Sequence, residues 1–191
     1  MARLFLIRHA EPDAAWGGAD DDPGLSEVGR AQAVAAAVAL VGEGALTVLC
    51  SPMRRCQETA APYLERRRLA RLELSPRFGE VEVPAGITHR RTWLAENFPW
   101  RAGAAVRPWA SVGPETRSWR DRVLGAARAV DRDTAVFTHF VAVNAIVGAA
   151  KGSAYTIVCR PDYASITELE VRNGQISVRR LGAEMREGDV H

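Results

Sequence analysis

Hydrophobic positions along the chain alternate between short unbroken runs and longer stretches with helical spacing. Ala2–Ile7 is a nearly continuous apolar run, the pattern of a strand covered on both faces. Glu11–Gly24, rich in Pro, Gly and Asp, predicts a loop. Ser26 is a suitable N-cap for a helix over about Glu27–Val41. Leu46–Cys50 predicts a second strand. Ser51-Pro52 ends it and opens a helix that continues towards Leu64 or beyond, with Pro62 a candidate site for a kink or an end. Leu72–Leu74 predicts a third strand. From Pro84 to Pro114, four prolines and three tryptophans interrupt any periodicity, which predicts an irregular excursion or lid over a pocket. A helix over Glu115–Val130, the strand Thr134–Thr138 and a helix over about Val141–Ala150 follow. Ile166–Val171 and Gln175–Leu181 flank Asn173-Gly174, the preferred two-residue hairpin turn.

Strand–helix repetition with a terminal hairpin predicts a three-layer α/β/α sandwich around a largely parallel sheet with an antiparallel C-terminal hairpin. Such sheets bind ligands beyond the carboxyl ends of their strands. His9 follows the first strand, His139 ends the Thr134–Thr138 strand, and Arg55 lies one helical turn past Leu46–Cys50. Three separate segments therefore bring an imidazole or a cation to one rim.

Composition narrows the picture. A length of 191 residues suits a single domain over 1–191, and 47% hydrophobic with 25% charged residues is the mix of a globular protein. A net charge of +2 makes no case for nucleic acid or a membrane surface as partner. Lys151 is the single lysine, so arginine carries nearly all positive charge and only an arginine beside other chemistry earns a role. Cys50, Cys56 and Cys159 lack metal-ligand and disulfide-framework spacing, so no metal site is expected and the thiols fit a reducing compartment. The run Leu4–Ile7 is too short for a signal peptide, and Ala31–Val41 is too short to span a bilayer. A cytoplasmic location is expected.

Weaker signals point to ordinary structure. Arg66-Arg67-Arg68 would splay around a helix as solvated side chains. Asp20–Asp22 completes no calcium loop. Gly42-Glu43-Gly44 precedes a strand, the reverse of a dinucleotide fingerprint. Ser26 misses the nucleophile-elbow spacing by one residue. Within the excursion, Arg90 and Arg91 with His89 and Trp93 either meet a second anionic group or belong to a loop whose tryptophans pack onto the core.

The cluster of Arg8, His9, Arg55 and His139 would repel itself unless an anion sat at its centre. A phosphoryl group in transfer spreads charge over three oxygens, so a protein mainly positions it and stabilises that charge. Arginine forks pair with two oxygens at once. An imidazole flanked by arginines stays neutral and nucleophilic. His9 can then attack phosphorus in line, and an acidic residue near the rim must protonate the leaving oxygen.

Four segments resemble the histidine phosphatase superfamily, which also contains the cofactor-dependent phosphoglycerate mutases. Leu6-Ile7-Arg8-His9-Ala10-Glu11-Pro12 resembles its opening motif, and Leu25–Ala33 the start of its first helix. Ser51–Ala60 resembles the segment with its second arginine, placed at Arg55 with Arg54 facing elsewhere; Phe137-Thr138-His139 resembles the segment with its second histidine. The resemblance implies that His9 is phosphorylated and that Arg8, Arg55 and His139 hold the phosphate of a small phosphorylated substrate, with no cofactor. Pro76–Glu82 resembles the proton-donor region, which places the donor at Glu80 with Glu82 as rival. Two departures stand out. Phe140 follows the second histidine where the family commonly has a small residue. The family's asparagine after the opening motif is absent from Asp13-Ala14-Ala15-Trp16, and Asn144 is a candidate to replace it. The implied activity is phosphomonoester hydrolysis. The alternatives are a mutase, expected to have a longer excursion around its pocket, a dephosphorylase for protein phosphohistidine, and a non-catalytic phosphate-binding module.

Overall fold

The computed structural model describes residues 1–14, 22–68, 71–101 and 103–185. Six strands, β1 (Ala2–Arg8), β2 (Thr47–Cys50), β3 (Leu72–Leu74), β4 (Thr134–Thr138), β5 (Ile166–Arg172) and β6 (Gln175–Arg180), form one sheet in the order β3-β2-β4-β1-β5-β6. The first four run parallel, and β5 and β6 add an antiparallel hairpin beside β1. Asn173 and Gly174 at its turn both have positive φ (51° and 74°), as the type I′ geometry requires.

Five helices accompany the sheet: α1 (Glu27–Val41), α2 (Arg54–Arg66), α3 (Arg90–Asn97), α4 (Pro114–Arg128) and α5 (Phe140–Ala150). Strand alternation sorts the core into two halves. Phe5 and Ile7 of β1 pack with Ala37 and Leu40 of α1 and Ala60 and Tyr63 of α2. Leu4 and Leu6 face the other way, onto Leu124 of α4, Ile146 of α5 and the aromatic residues of the excursion. An unbroken apolar strand is what a sheet buried on both faces needs.

This arrangement positions the site. β1 and β4 are parallel neighbours with Arg8 opposite Thr138, so the residues that follow them, His9 and His139, emerge together. Their following helices leave to opposite faces, opening a crevice between the two strand ends.

One expectation needs correction. The stretch from Pro84 to Pro114 contains α3 and a 3₁₀ turn at Trp109–Ser111. It also delivers Leu94, Phe98, Trp100 and Trp109 to the core. Two turns of helix with only Leu94 and Asn97 buried are too short for their period to show. α2 runs past Leu64 to Arg66 as expected, with Pro62 inside it.

Candidate active site

β1 delivers Arg8 and His9 to the rim, and local hydrogen bonds hold them there. The amide of His9 donates to the Thr138 carbonyl (2.8 Å), and the amide of Ala10 donates to Thr59 Oγ1 (2.9 Å). Thr59 in turn donates to the Arg55 carbonyl (2.6 Å), which ties the end of β1 to α2. The Ser26 hydroxyl caps α1 by accepting from the Gly29 amide and donates to Glu11. Gly29 allows α1 to approach this strand end: a Cβ there would lie 2.1 Å from the Glu11 carbonyl oxygen.

His9 is buried, and its ring orientation is chemically defined. Nδ1 lies 2.9 Å from the Ala10 carbonyl. A carbonyl can only accept, so Nδ1 carries the proton and Nε2 keeps the lone pair. Burial, then Arg55, then Arg8 hold the imidazole well below its ordinary value of 6.5. His9 is therefore a neutral base with Nε2 available, as a nitrogen nucleophile needs.

His139 is the N-cap residue of α5, with its ring 5.3 Å from that of His9, edge to face. Arg55 Nη2 lies 3.2 Å from Nδ1. A guanidinium can only donate, so Nδ1 accepts, and Nε2–H donates to Ser51 Oγ at 2.7 Å. Burial, then Arg55, His9 and Arg8, push this imidazole well below 6.5 as well. Both histidines are uncharged beside two arginines.

The arginines differ in their settings. Arg55, buried at the start of α2, faces His139 and lies 4.0 Å from Asp22. Arg54 points outward and pairs with Glu58 at 2.6 Å. Arg8 is completely buried. Its Nη1 donates to the Pro161 carbonyl (2.9 Å) and to Met185 Sδ (3.0 Å). Its Nε and Nη2 have no hydrogen-bond partner among the described residues. Paired donors on a desolvated cation form an oxyanion site.

Glu80 closes the cluster. Its Oε2 lies 3.9 Å from His139 Nδ1, with the side chain 5% exposed, whereas Glu82 is 82% exposed and meets Arg122 at 4.0 Å. Burial raises the Glu80 carboxyl above its ordinary value of 4.5 against the pull of Arg55, the Val81 amide and Arg8. A raised carboxyl holds its proton to higher pH, the direction in which a proton donor must be tuned.

The site thus brings together Arg8, His9, Arg55, Glu80 and His139 and leaves Glu82 outside. Asn144 does not replace the missing asparagine: Oδ1 accepts from the amides of Val158 and Cys159, and Nδ2 donates to the Phe140 carbonyl. Its oxygen and one of its two N–H groups are spent on bracing the loop after α5. Ala15, Trp16, Asp20 and Asp21, on which other expectations fell, lie outside the described residues. Among the described residues, no three His, Cys, Asp or Glu side chains are grouped as metal ligands, and no helix is long and apolar enough to cross a membrane.

Three contributors escaped the sequence reading. Ser51 looked like a strand terminator, yet its hydroxyl defines the His139 tautomer. Phe140 registered only as a departure, but its ring lies 5.2 Å from the Arg8 guanidinium carbon. Tyr163 carried no signal, and its ring lies 3.8 Å from the same carbon.

Residues 4–184 match the histidine phosphatase superfamily (branch 1). The chain belongs to that family. A glucosyl-3-phosphoglycerate phosphatase of Mycobacterium tuberculosis is 33% identical over 123 residues, covering 60% of this chain and 53% of that one. The matched segments span between 32% and 60% of the lengths of the curated relatives. The fold of this histidine phosphatase superfamily member is shared with Bacillus stearothermophilus YhfR, at a TM-score of 0.74, 20% identity and coverage of 98% and 99% of the two chains. It is shared also with the mycobacterial glucosyl-3-phosphoglycerate phosphatase structure, at a TM-score of 0.72, 20% identity and coverage of 97% and 100%.

Proposed function

We propose that this protein is a phosphomonoesterase that acts on a small phosphorylated substrate through a phosphohistidine on His9. One observation carries the reading: the Nδ1–H of His9 is engaged by the Ala10 carbonyl, so the free Nε2 lone pair sits on a neutral imidazole among Arg8, Arg55 and His139. In the first step Nε2 forms a bond to phosphorus as the phosphorus–oxygen ester bond breaks. Glu80 gives its proton to the leaving oxygen. In the second, the Glu80 carboxylate takes a proton from water as the water oxygen attacks phosphorus. The nitrogen–phosphorus bond breaks, and inorganic phosphate and neutral His9 are restored. Arg8 and Arg55 hold the phosphoryl oxygens through both steps, and His139, whose Nδ1 faces Arg55 in the free protein, joins them when the phosphate dianion draws a proton onto that nitrogen.

The mechanism needs neither a metal nor another cofactor, and it calls for no nucleic-acid or membrane partner. A cytoplasmic setting suits three buried free thiols. The test is hydrolysis of p-nitrophenyl phosphate in the presence of a chelator by the wild type and by His9→Ala. The expected result is turnover in the wild type, a loss of about a thousandfold or more in the variant, and an acid-labile phosphoryl adduct in the wild type alone. Equal turnover in both proteins would remove His9 from the mechanism.

A further inference from the structure

Arg8 presents a physical problem of its own. A guanidinium with no solvent exposure normally sits beside a carboxylate, yet the groups against this one are a backbone carbonyl, a thioether and two aromatic rings. Burial depresses its affinity for its proton; Tyr163 opposes this first, through its hydroxyl as well as its ring, and Glu80 and Asp162 follow as charges. Among these neighbours the Tyr163 ring is the nearest face, 3.8 Å from the guanidinium carbon, and it also lies 5.9 Å from the His9 ring.

The loop that carries Tyr163 is built around this contact. Between α5 and β5, Pro161 supplies the carbonyl that accepts from Arg8 Nη1, and two residues later Tyr163 covers the guanidinium. The Ser165 carbonyl accepts from the Arg8 amide (3.2 Å) and the Ala164 amide donates to the His9 carbonyl (3.4 Å). Ala164, between these points, has a φ of 53°, a left-handed conformation that costs an ordinary residue free energy and persists only where its surroundings enforce it. The far side of the loop is held by the chain after β6: the Asp162 amide donates to the Ala183 carbonyl and the Met185 amide to the Arg160 carbonyl.

The geometry points to Tyr163 as a positioning residue for Arg8: its ring face, seconded by Phe140, holds the guanidinium in place without neutralising it, so that Nε and Nη2 stay available to a phosphoryl group. This rests on the phosphate reading of the site. A carboxylate in the same place would hold Arg8 equally well but would compete with the incoming oxyanion for its donors. An aromatic face attracts the cation through its quadrupole and occupies no N–H. The structure therefore separates the two demands on Arg8, fixed orientation and undiminished charge, by giving the first to rings and backbone.

The test compares inorganic phosphate and vanadate binding, by calorimetry and by competition with p-nitrophenyl phosphate, in the wild type, Tyr163→Phe and Tyr163→Leu. Tyr163→Phe retains the face and is expected to bind within about twofold of the wild type. Tyr163→Leu fills similar space without a quadrupole and is expected to bind roughly tenfold more weakly. If Tyr163→Leu does not fold, phenylalanines with increasing ring fluorination at position 163 keep the shape while weakening the face, and affinity should fall stepwise with fluorine number. Wild-type affinity in Tyr163→Leu, a loss in Tyr163→Phe as large as in Tyr163→Leu, or an affinity indifferent to fluorination would each overturn the assignment. Binding is measured without turnover, so such a result stands apart from the failure of the phosphohistidine reading, which His9→Ala tests.

Discussion

The rim of the sheet and the excursion after Glu80 use the same residue types in opposite ways. At the rim, Arg8, His9, Arg55, Glu80 and His139 are all buried, and the polar groups face one another. In the excursion, Arg91 and Arg101 are exposed while Leu94, Phe98, Trp100 and Trp109 fill the core. Backbone support makes the difference. The rim groups stand on parallel strand ends and helix starts whose amides and carbonyls hold them. The α3 segment packs by its apolar side chains, with Arg91 exposed and Arg90 half-buried within electrostatic reach of Glu80. Burying charge is unfavourable in itself, so a fold that does so at several adjacent positions is arranged around something other than stability.

The largest effect that would sharpen this contrast is expected at Glu80. Glu80→Gln should slow hydrolysis of an alkyl phosphate by about 10²–10⁴-fold and of p-nitrophenyl phosphate far less, because p-nitrophenolate leaves without a proton. Glu82→Gln should stay within about twofold on both substrates. Steady-state kinetics on the two esters decide this, and an equal loss on both would deny Glu80 a role in protonation.

On the other side of the comparison, Trp109→Ala should cost about 3–5 kcal/mol of unfolding free energy. Its ring packs edge to face on Phe98 at 6.0 Å, and its amide donates to the Ala154 carbonyl. Denaturant titration measures the loss. A small cost would return the excursion to the status of a lid with little share in the core.

The smallest expected effect is a pH dependence. His9 and His139 have depressed folded-state values, so their contribution to stability is complete above about 6.5 and is lost as pH falls below it, when the unfolded chain binds protons that the folded one refuses. Glu80, with a raised value, works in the opposite direction: its contribution is complete below 4.5 and is lost as pH rises through its folded-state value. Two histidines outweigh one carboxyl. The free protein should therefore lose up to about 1.4 kcal/mol per pH unit on going from pH 6.5 towards 5. Unfolding titrations across that range, repeated with His9→Gln, should show a shallower slope in the variant. A flat profile in the wild type would mean that the histidines titrate normally.

Much of this architecture was legible before any coordinates. The unbroken run at Ala2–Ile7, the Ser26 cap, the strand Thr134–Thr138 and the Asn173-Gly174 turn each obey a local rule that burial or backbone geometry enforces. The Arg8-His9, Arg55 and His139 placements followed from the rule that parallel sheets expose ligands at their carboxyl ends. Local rules failed where the deciding contact is remote in sequence. Asn144 looked like a phosphate contact because nothing local reveals that its amide is consumed by the amides of Val158 and Cys159.

Taken by itself, the sequence determined the order of strands and helices, the burial of the sheet on both faces and the gathering of Arg8, His9, Arg55 and His139 on one rim. Those properties depend on periodicity, caps and the polarity of a parallel sheet, all of which act over a few residues. Only the tertiary structure decided which nitrogen of His139 carries its proton, that Glu80 and not Glu82 is buried beside His139, and that the Tyr163 ring lies over Arg8. Tautomers, desolvation and ring stacking are set by groups that approach through space, and those groups lie up to 155 residues apart, as the antiparallel pairing of β5 with β1 brings the loop before β5 onto the end of β1.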